Sequence, residues 1–244
     1  MSSTEHIVTS YEGELESLDK KIAQMGGLTE NLVGQAVDAL RLRDADLASH
    51  VIEDDVHIDQ LEREIEDQAI SMIARRQPMA LDLRQIMAAV KITSDLERIG
   101  DLGKNIAKRV LSIHHEKQPS QLVHGMRSMQ SLALAQLKNV LDAYTERNTE
   151  KALSVWYADE EIDAIYNSLF RELLTYMMED PRNIGLCTHL LFCAKNMERI
   201  GDHTTNIAET VHYLVLGSEI AAERPKGDKT TKILVEPGDV ENDS

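Results

Sequence analysis

The sequence of 244 residues predicts an all-α protein made of two tandem, sequence-similar three-helix bundles. Three observations support this prediction: a long internal repeat, helical spacing of the apolar residues, and a shortage of helix-breaking residues. Apolar positions recur at intervals of three and four, as in Ile58, Leu61 and Ile65, which is the period of a helix and not of a strand. Only five prolines and twelve glycines are present, which favours long helices.

The repeat is most visible in one motif. ERIGDLGKNIAK at residues 97–108 returns as ERIGDHTTNIAE at residues 198–209, and eight of the first eleven positions are identical. Further matches lie upstream, where Asp55 and Asp59 correspond to Asp159 and Asp163 at an offset of 104. A repeat of about 100 residues is too long for a solenoid unit and indicates two copies of a small domain.

Each copy is predicted to contain three helices, separated by RLRDAD and RRQPMALD in the first copy and by TERN and EDPRN in the second. The predicted helices are Tyr11 to Leu42, Ala45 to Arg76, Ala80 to His114, Gln121 to Tyr144, Glu150 to Glu179 and Arg182 to Leu216. The predicted divisions are a flexible N-terminus (1–10), a first bundle (11–116), a second bundle (117–218) and a disordered acidic tail (219–244).

The charge balance restricts the classes of partner. With 42 acidic and 26 basic residues the net charge is −16, so nucleic acid and anionic lipid headgroups are repelled, whereas cations and basic protein surfaces are favoured. The two cysteines fit a reducing compartment. No export signal and no apolar run of membrane-spanning length are visible. We therefore expect a cytoplasmic protein without direct membrane insertion.

The repeated motif places oxygen donors on one helix face. If Ile99, Ile106 and Val110 face the core, then Glu97, Asp101 and Asn105 lie on the opposite side. The second copy repeats the arrangement with Glu198, Asp202 and Asn206. One acidic pair with this spacing is ordinary on a solvated face. The need for solubility does not explain why the same residues recur in both copies.

The upstream aspartate pairs add to this face. If the second and third helices of a copy lie side by side, four carboxylates and an asparagine amide converge, a donor set that suits Mg²⁺, Mn²⁺ or iron. Without a cation these carboxylates would repel one another or partly protonate. Gly100 and Gly201 either permit close helix packing or leave room for a ligand. Arg98 and Arg199 either hold a carboxylate or a metal-bridging anion, or are ordinary surface arginines.

The doubled ERIGD…NIA motif, the segment RRQPMALDLR from Arg75 to Arg84 and the paired acids resemble the PhoU family of phosphate-uptake regulators, over about residues 10–217. The resemblance implies two three-helix bundles that often dimerise, metal at the acidic motifs and no enzymatic activity. It also implies a cytoplasmic negative regulator of the phosphate-starvation response, which modulates phosphate uptake. Its implied partners are the ATPase subunit of the phosphate ABC transporter, a sensor histidine kinase and a second copy of the chain.

The resemblance assigns metal-ligand roles to the carboxylates of both copies, with Mg, Mn, Fe or Zn as the metal. His203 is a candidate nitrogen ligand in the second copy only, so the two sites are expected to differ. With the two asparagines of the motifs, the predicted ligands are Asp55, Asp59, Glu97, Asp101, Asn105, Asp159, Asp163, Glu198, Asp202 and Asn206.

Two other functions remain open at this point. Metal-dependent hydrolysis of phosphate esters at the carboxylates is one, and a metal-free helical adaptor that docks on a basic partner is the other. A di-iron enzyme is disfavoured, because Glu209-x-x-His212 has no equivalent in the first copy. Cys187, His189 and Cys193 either bind a soft metal or are structural residues.

Overall fold

The computed structural model describes residues 3–116 and 120–222, with side chains for residues 11–116 and 124–222. This part of the chain forms seven α-helices and a short 3-10 helix, with no strand among the described residues. The predicted all-α class is confirmed, and of the predicted disordered tail, residues 223–244 lie outside the described residues. The elements are α1 (Ser3–Leu42), α2 (Ala45–Arg76), α3 (Leu81–Ile113), α4 (Ser120–Glu146), α5 (Thr149–Tyr157), α6 (Asp159–Glu179), the 3-10 helix (Pro181–Asn183) and α7 (Ile184–Leu216).

The two repeats make the same turn after their first helix. Arg43 and Arg147 both have a positive φ, of 58° and 53°. The next residue in each copy caps the following helix: Asp44 accepts from the Leu47 amide at 2.9 Å, and Asn148 accepts from the Lys151 amide at 3.0 Å. The repeat in the sequence is therefore also a repeat in local structure.

The prediction of one continuous helix from Glu150 to Glu179 is wrong, because the structure has two helices here, α5 and α6, which are separated at Ala158. The Gln136 side chain donates to the Ala158 carbonyl at 2.8 Å, and an inserted side chain of this kind interrupts the regular ladder of a helix. In the first repeat the position of Gln136 is occupied by Leu32, whose side chain cannot donate a hydrogen bond, and α2 is continuous. The second bundle thus keeps its three-helix layout with a middle helix in two parts. Its last helix begins at Ile184, after the 3-10 helix, instead of at Arg182.

A single apolar core runs through both repeats. In the first repeat α3 packs on α1 and α2, and in the second α7 packs on α4, α5 and α6. The residues predicted to face the core are buried, including Ile99, Ile106 and Val110. The motif helices α3 and α7 also pack extensively on each other, so the two bundles share a broad interface.

A second contact between the repeats joins α1 and α4. Asp19 of α1 accepts hydrogen bonds from the Tyr144 hydroxyl and from Arg147 Nη2, the latter at 2.8 Å. Farther along, Gln130 Nε2 donates to the Gly34 carbonyl at 3.1 Å. No helix in the described ranges is long and apolar enough to cross a membrane.

Candidate metal site: two carboxylate clusters

The structure gathers the predicted acids into two groups. The first cluster consists of Asp55 and Asp59 on α2 with Glu97 and Asp101 on α3. The second cluster consists of Asp159 and Asp163 on α6 with Glu198 and Asp202 on α7. Within each cluster the carboxylates are close enough to raise the pKa of the motif glutamate. The side-by-side arrangement of the second and third helices, on which this convergence depends, is therefore present.

The first cluster contains a cation of its own. Asp55 is only 2 % exposed, and its Oδ2 lies 2.5 Å from Lys104 Nζ. The same ammonium lies 3.3 Å from Asp101 Oδ1. Lys104 therefore bridges an aspartate of α2 and an aspartate of α3. Its ammonium holds together the two helices that supply the cluster.

The second cluster is paired differently. Thr205 replaces Lys104, and its hydroxyl lies 3.2 Å from Asp159 Oδ1 and 3.1 Å from the Gly201 carbonyl. A lysine approaches from the other direction, with Lys195 Nζ at 2.9 Å from Glu198 Oε2. The first repeat has Ser94 at the position of Lys195. Each repeat thus brings one lysine to its motif acids, but from different positions.

Burial and mutual repulsion raise the pKa values of the motif glutamates. Burial is the main cause for Glu97, followed by the charges of Asp101, Glu62 and Asp59, and its pKa rises to about 7. The pKa of Glu198 is also raised to about 7, chiefly by burial and against the opposing effect of Lys195. A positive charge nearby would therefore stabilise the ionised form of these carboxyls.

The motif glycines allow the helices to approach closely. A Cβ atom on Gly100 would lie 3.0 Å from Ile58 Cδ1 and 3.5 Å from Asp55 Oδ1. A Cβ atom on Gly201 would lie 3.0 Å from Ile162 Cδ1. Of the two explanations left open by the sequence, these distances support close packing of the helices. The glycines bring the aspartate-bearing helix against the motif helix.

The remaining predicted residues occupy other environments. Asn206 Nδ2 donates to Asp95 Oδ1 at 3.3 Å, and His203 Nδ1 lies 2.9 Å from the same oxygen. Both residues thereby join α7 to α3, and their roles as metal ligands stay predictions. The exposed residues are Asn105, Arg98 and Arg199. Arg98 lowers the pKa of Glu97, against the larger effects of burial and the neighbouring acids.

The donor chemistry suits a hard cation, but the side chains as they stand do not form a metal site. Among the described residues no three carboxylate, imidazole or thiol groups are arranged to hold a metal ion. In the first cluster the Lys104 ammonium already lies against Asp55 and Asp101. Metal binding there requires that Lys104 moves away.

Sequence reasoning missed three charged residues of this region. Lys104 and Lys195 lie three residues from Asp101 and Glu198, on the same helix face, and this spacing is the signal that would have identified them. Glu62 follows Asp55 and Asp59 on α2 and raises the pKa of Glu97. The equivalent residue in the second repeat is Tyr166. Lys195 Nζ lies over the Tyr166 ring, 5.0 Å from its centroid.

The residues considered for other metal chemistry have structural partners. Glu209 Oε1 accepts from the indole nitrogen of the buried Trp156 at 2.9 Å. His212 Nδ1 lies 3.0 Å from the Ser218 carbonyl. Cys187 and Cys193 are buried, and burial raises the pKa of Cys193 to about 12, so its thiol is a poor nucleophile.

The fold and the clusters define a class of protein: tandem three-helix bundles, each with a carboxylate cluster between its second and third helices. A family model described as the PhoU domain matches residues 22–110 and again residues 126–211. The chain therefore belongs to the PhoU family, as the motifs of the sequence predict.

Relatives of known name agree with this assignment. A phosphate-specific transport system accessory protein PhoU homolog of Rhizobium meliloti (strain 1021) is 56% identical over 228 residues, which cover 93% of this chain and 96% of the relative. A protein of the same description from Caulobacter vibrioides (strain NA1000 / CB15N) is 50% identical over 225 residues, covering 92% and 98%. These relatives are named as accessory proteins and not as enzymes.

Solved structures confirm the fold. The crystal structure of PhoU from Pseudomonas aeruginosa is 40% identical and superposes with a TM-score of 0.83, covering 85% of this chain and 100% of that chain. The phosphate transport system regulatory protein PhoU from Streptococcus pneumoniae is 30% identical with a TM-score of 0.80, covering 87% of this chain and 100% of that chain. The prediction of two tandem helical bundles is thereby confirmed.

Proposed function

We propose that this chain regulates phosphate-specific transport as a non-enzymatic helical adaptor that binds metal cations at its carboxylate clusters. Membership of the PhoU family supports the regulatory role. The metal-binding part of the proposal rests on one observation. Equivalent places in both repeats hold a cluster of four carboxylates, which are half-buried or buried. A soluble surface does not require buried acids, and buried carboxylates are unfavourable without a counter-charge.

The proposed role in the cell is that of a negative regulator of the phosphate-starvation response. In this role the protein couples the ATPase subunit of the phosphate ABC transporter to a sensor histidine kinase in the cytoplasm, and it works as a homodimer. Two features support protein docking. The net charge of −16 attracts basic surfaces, and both repeats expose an apolar residue at the start of the motif helix, Leu81 at 66% and Ile184 at 49%.

The metal is proposed to be Mg, Mn, Fe or Zn, held chiefly by the carboxylates of each cluster. Such an ion would neutralise the mutual repulsion of the acids. In each repeat two packed helices hold the four acids close together: α2 and α3 in the first cluster, α6 and α7 in the second. Burial of Asp55, Asp159, Asp163 and Glu198, all at most 6% exposed, limits the competition from water.

Metal analysis tests the proposal directly. We expect protein purified without chelator and incubated with Mn²⁺ or Mg²⁺ to retain metal by mass spectrometry. The variant Asp159→Ala/Asp202→Ala should lose the metal of the second cluster, because it removes one ligand from each helix. The control is Glu160→Ala/Glu161→Ala, which removes two exposed acids of α6 outside the cluster. Equal metal content in all three proteins, or none in any, would contradict metal binding at the second cluster.

A reporter assay tests the regulatory part. Deletion of the gene in its own host is expected to switch on phosphate-starvation genes in phosphate-rich medium, because the proposed brake on the sensor kinase is lost. The wild-type gene on a plasmid should restore repression. Unchanged reporter expression after deletion would refute negative regulation, whatever the metal content of the protein.

The position of Lys104 favours a second candidate, a metal-free adaptor whose acids dock on a basic partner. An internal ammonium already balances part of the first cluster. The two candidates differ in their sensitivity to solution conditions. A metal-free adaptor keeps its partner in the presence of chelator and releases it at high salt, whereas a metal-dependent adaptor responds to the chelator.

A further inference from the structure

We infer that a second copy of this chain docks on the surface formed by α3 and α7, with Phe192 and Arg109 of each copy entering a cleft of the other. This inference rests on the proposed homodimer and names the surface that forms it. One end of the surface carries a cleft lined by acids, and the other end carries an exposed aromatic ring paired with a guanidinium. The two ends are complementary in shape and in charge, and both belong to the same chain.

The cleft lies between α3, α5 and α7 and has a volume of about 870 Å³. This volume is large enough for more than one side chain of a docked protein. Its apolar lining includes Met87, which is 44% exposed, and Tyr213, which is 39% exposed. Three carboxylates also line the cleft, against one lysine, and they belong to Asp95, Glu209 and Glu219. The cleft therefore suits a side chain pair that is both apolar and cationic.

The opposite end of the surface presents such a pair, which we call the knob. Phe192 of α7 is 47% exposed, and the Arg109 guanidinium of α3 lies over its ring, 4.0 Å from the centroid. Lys108 of α3 is also exposed and adds a second positive charge to this end. Aromatic residues and arginine are enriched at the centres of protein interfaces, where a few of them supply most of the binding energy.

The knob and the cleft occupy equivalent places in the two repeats. The counterpart of Phe192 in the first repeat is Lys91, and the counterpart of Arg109 in the second repeat is Thr210. Lys91 and Thr210 both line the cleft. The internal repeat thus places a knob at one end of the surface and a cleft at the corresponding position of the other end.

This arrangement favours a closed dimer of two copies. Phe192 and Tyr213 lie about six turns apart on α7, a separation of about 30 Å. A twofold axis between them places each knob on the cleft of the other copy, so the same contact forms twice and neither copy keeps an unused knob or cleft. An arrangement that pairs like ends would instead bring acids against acids. Charge complementarity therefore selects the pairing of knob with cleft.

Charge reversal at each end tests this pairing. The oligomeric state of the full chain is measured by analytical ultracentrifugation, with chelator and again with Mn²⁺. The wild type is expected to be a dimer. Arg109→Glu and Glu219→Arg should each raise the dissociation constant of the dimer at least tenfold, because like charges then meet at both contacts. An equimolar mixture of these two variants should recover the dimer, because each knob in the mixed pair meets a cleft residue of opposite charge.

Removal of the aromatic ring tests the apolar part of the contact. Phe192→Ala should also raise the dissociation constant at least tenfold. The matched control is Ile70→Ala, which removes a side chain of α2 that is 66% exposed and lies outside the α3–α7 surface, and it should dimerise like the wild type. Recovery of the dimer in the mixture of charge variants separates docking from folding, because two misfolded proteins would not restore each other.

The outcomes distinguish this inference from the proposed function. Dimers of equal affinity in every variant would overturn the inference alone, because the homodimer would then form through another surface. Single variants that are monomeric and remain so when mixed would contradict the pairing of knob with cleft. Assemblies that grow beyond a dimer with concentration would overturn the twofold arrangement. A monomeric wild type would overturn both the inference and the proposed homodimer, and would leave the cleft to a segment of another protein.

Discussion

Replacement of Trp156 by alanine is expected to lower the free energy of unfolding by about 3–5 kcal/mol, the usual range for removal of a large buried aromatic side chain. Trp156 is the single tryptophan of the chain, is 1% exposed, and donates to Glu209 of α7 at 2.9 Å. The change leaves a cavity under the short helix α5 and removes its hydrogen bond to α7. Urea denaturation followed by far-UV circular dichroism measures the loss.

Two further variants separate packing from hydrogen bonding at Trp156. Trp156→Phe retains most of the apolar volume but leaves Glu209 without its indole donor, which should cost about 1–3 kcal/mol. Glu209→Gln keeps an acceptor for the indole and should cost less than either tryptophan variant. A loss below about 1 kcal/mol for Trp156→Ala would mean that the site collapses readily and that Trp156 does not anchor α5.

Enlargement of Gly100 to leucine is expected to destabilise the fold by about 1–3 kcal/mol or more, because the added side chain must displace tightly packed neighbours. Its first new atom would already lie 3.0 Å from Ile58 Cδ1. The change should also separate α2 from α3 and thus Asp55 from Lys104. Gly201→Leu should behave similarly, since its Cβ would lie 3.0 Å from Ile162 Cδ1. Chemical denaturation measures both.

Gly27→Leu is the matched control for these substitutions. Gly27 lies inside α1, and a Cβ atom there would have no neighbour within 4 Å. We expect this variant to be neutral or to gain up to about 1 kcal/mol, since glycine is a poor residue in the interior of a helix. Equal destabilisation at Gly27 and Gly100 would show that close approach of the helices is not the reason for glycine in the motif.

The sequence was sufficient for the class of fold and for the location of the clusters, because both follow from periodicity and duplication. Ile99, Ile106 and Val110 share one face of a helix and are buried as predicted. Most predicted helix ends are close to the observed ones, and α2 matches at both ends. Such features depend on local spacing, which a single sequence records directly.

The remaining features depend on contacts between distant segments. At the break, Ala158 accepts a hydrogen bond from Gln136, which lies 22 positions away on another helix. The bridge from Lys104 to Asp55 joins residues 49 positions apart. His203 is predicted as a candidate metal ligand, and the structure adds a contact with Asp95 of the other repeat that the sequence does not indicate. Helix periodicity places a residue on a face but does not identify what lies opposite that face.

The packing of α3 on α7 joins the two repeats through one continuous apolar core. Each motif helix contributes one face to its own bundle, carries acids toward the neighbouring helix, and presents a further face to the motif helix of the other repeat. Asp95 and His203, together with Asn206, lie along this shared interface. A truncated protein with one repeat would expose this interface to water. Each repeat therefore depends on the other to cover part of its interior.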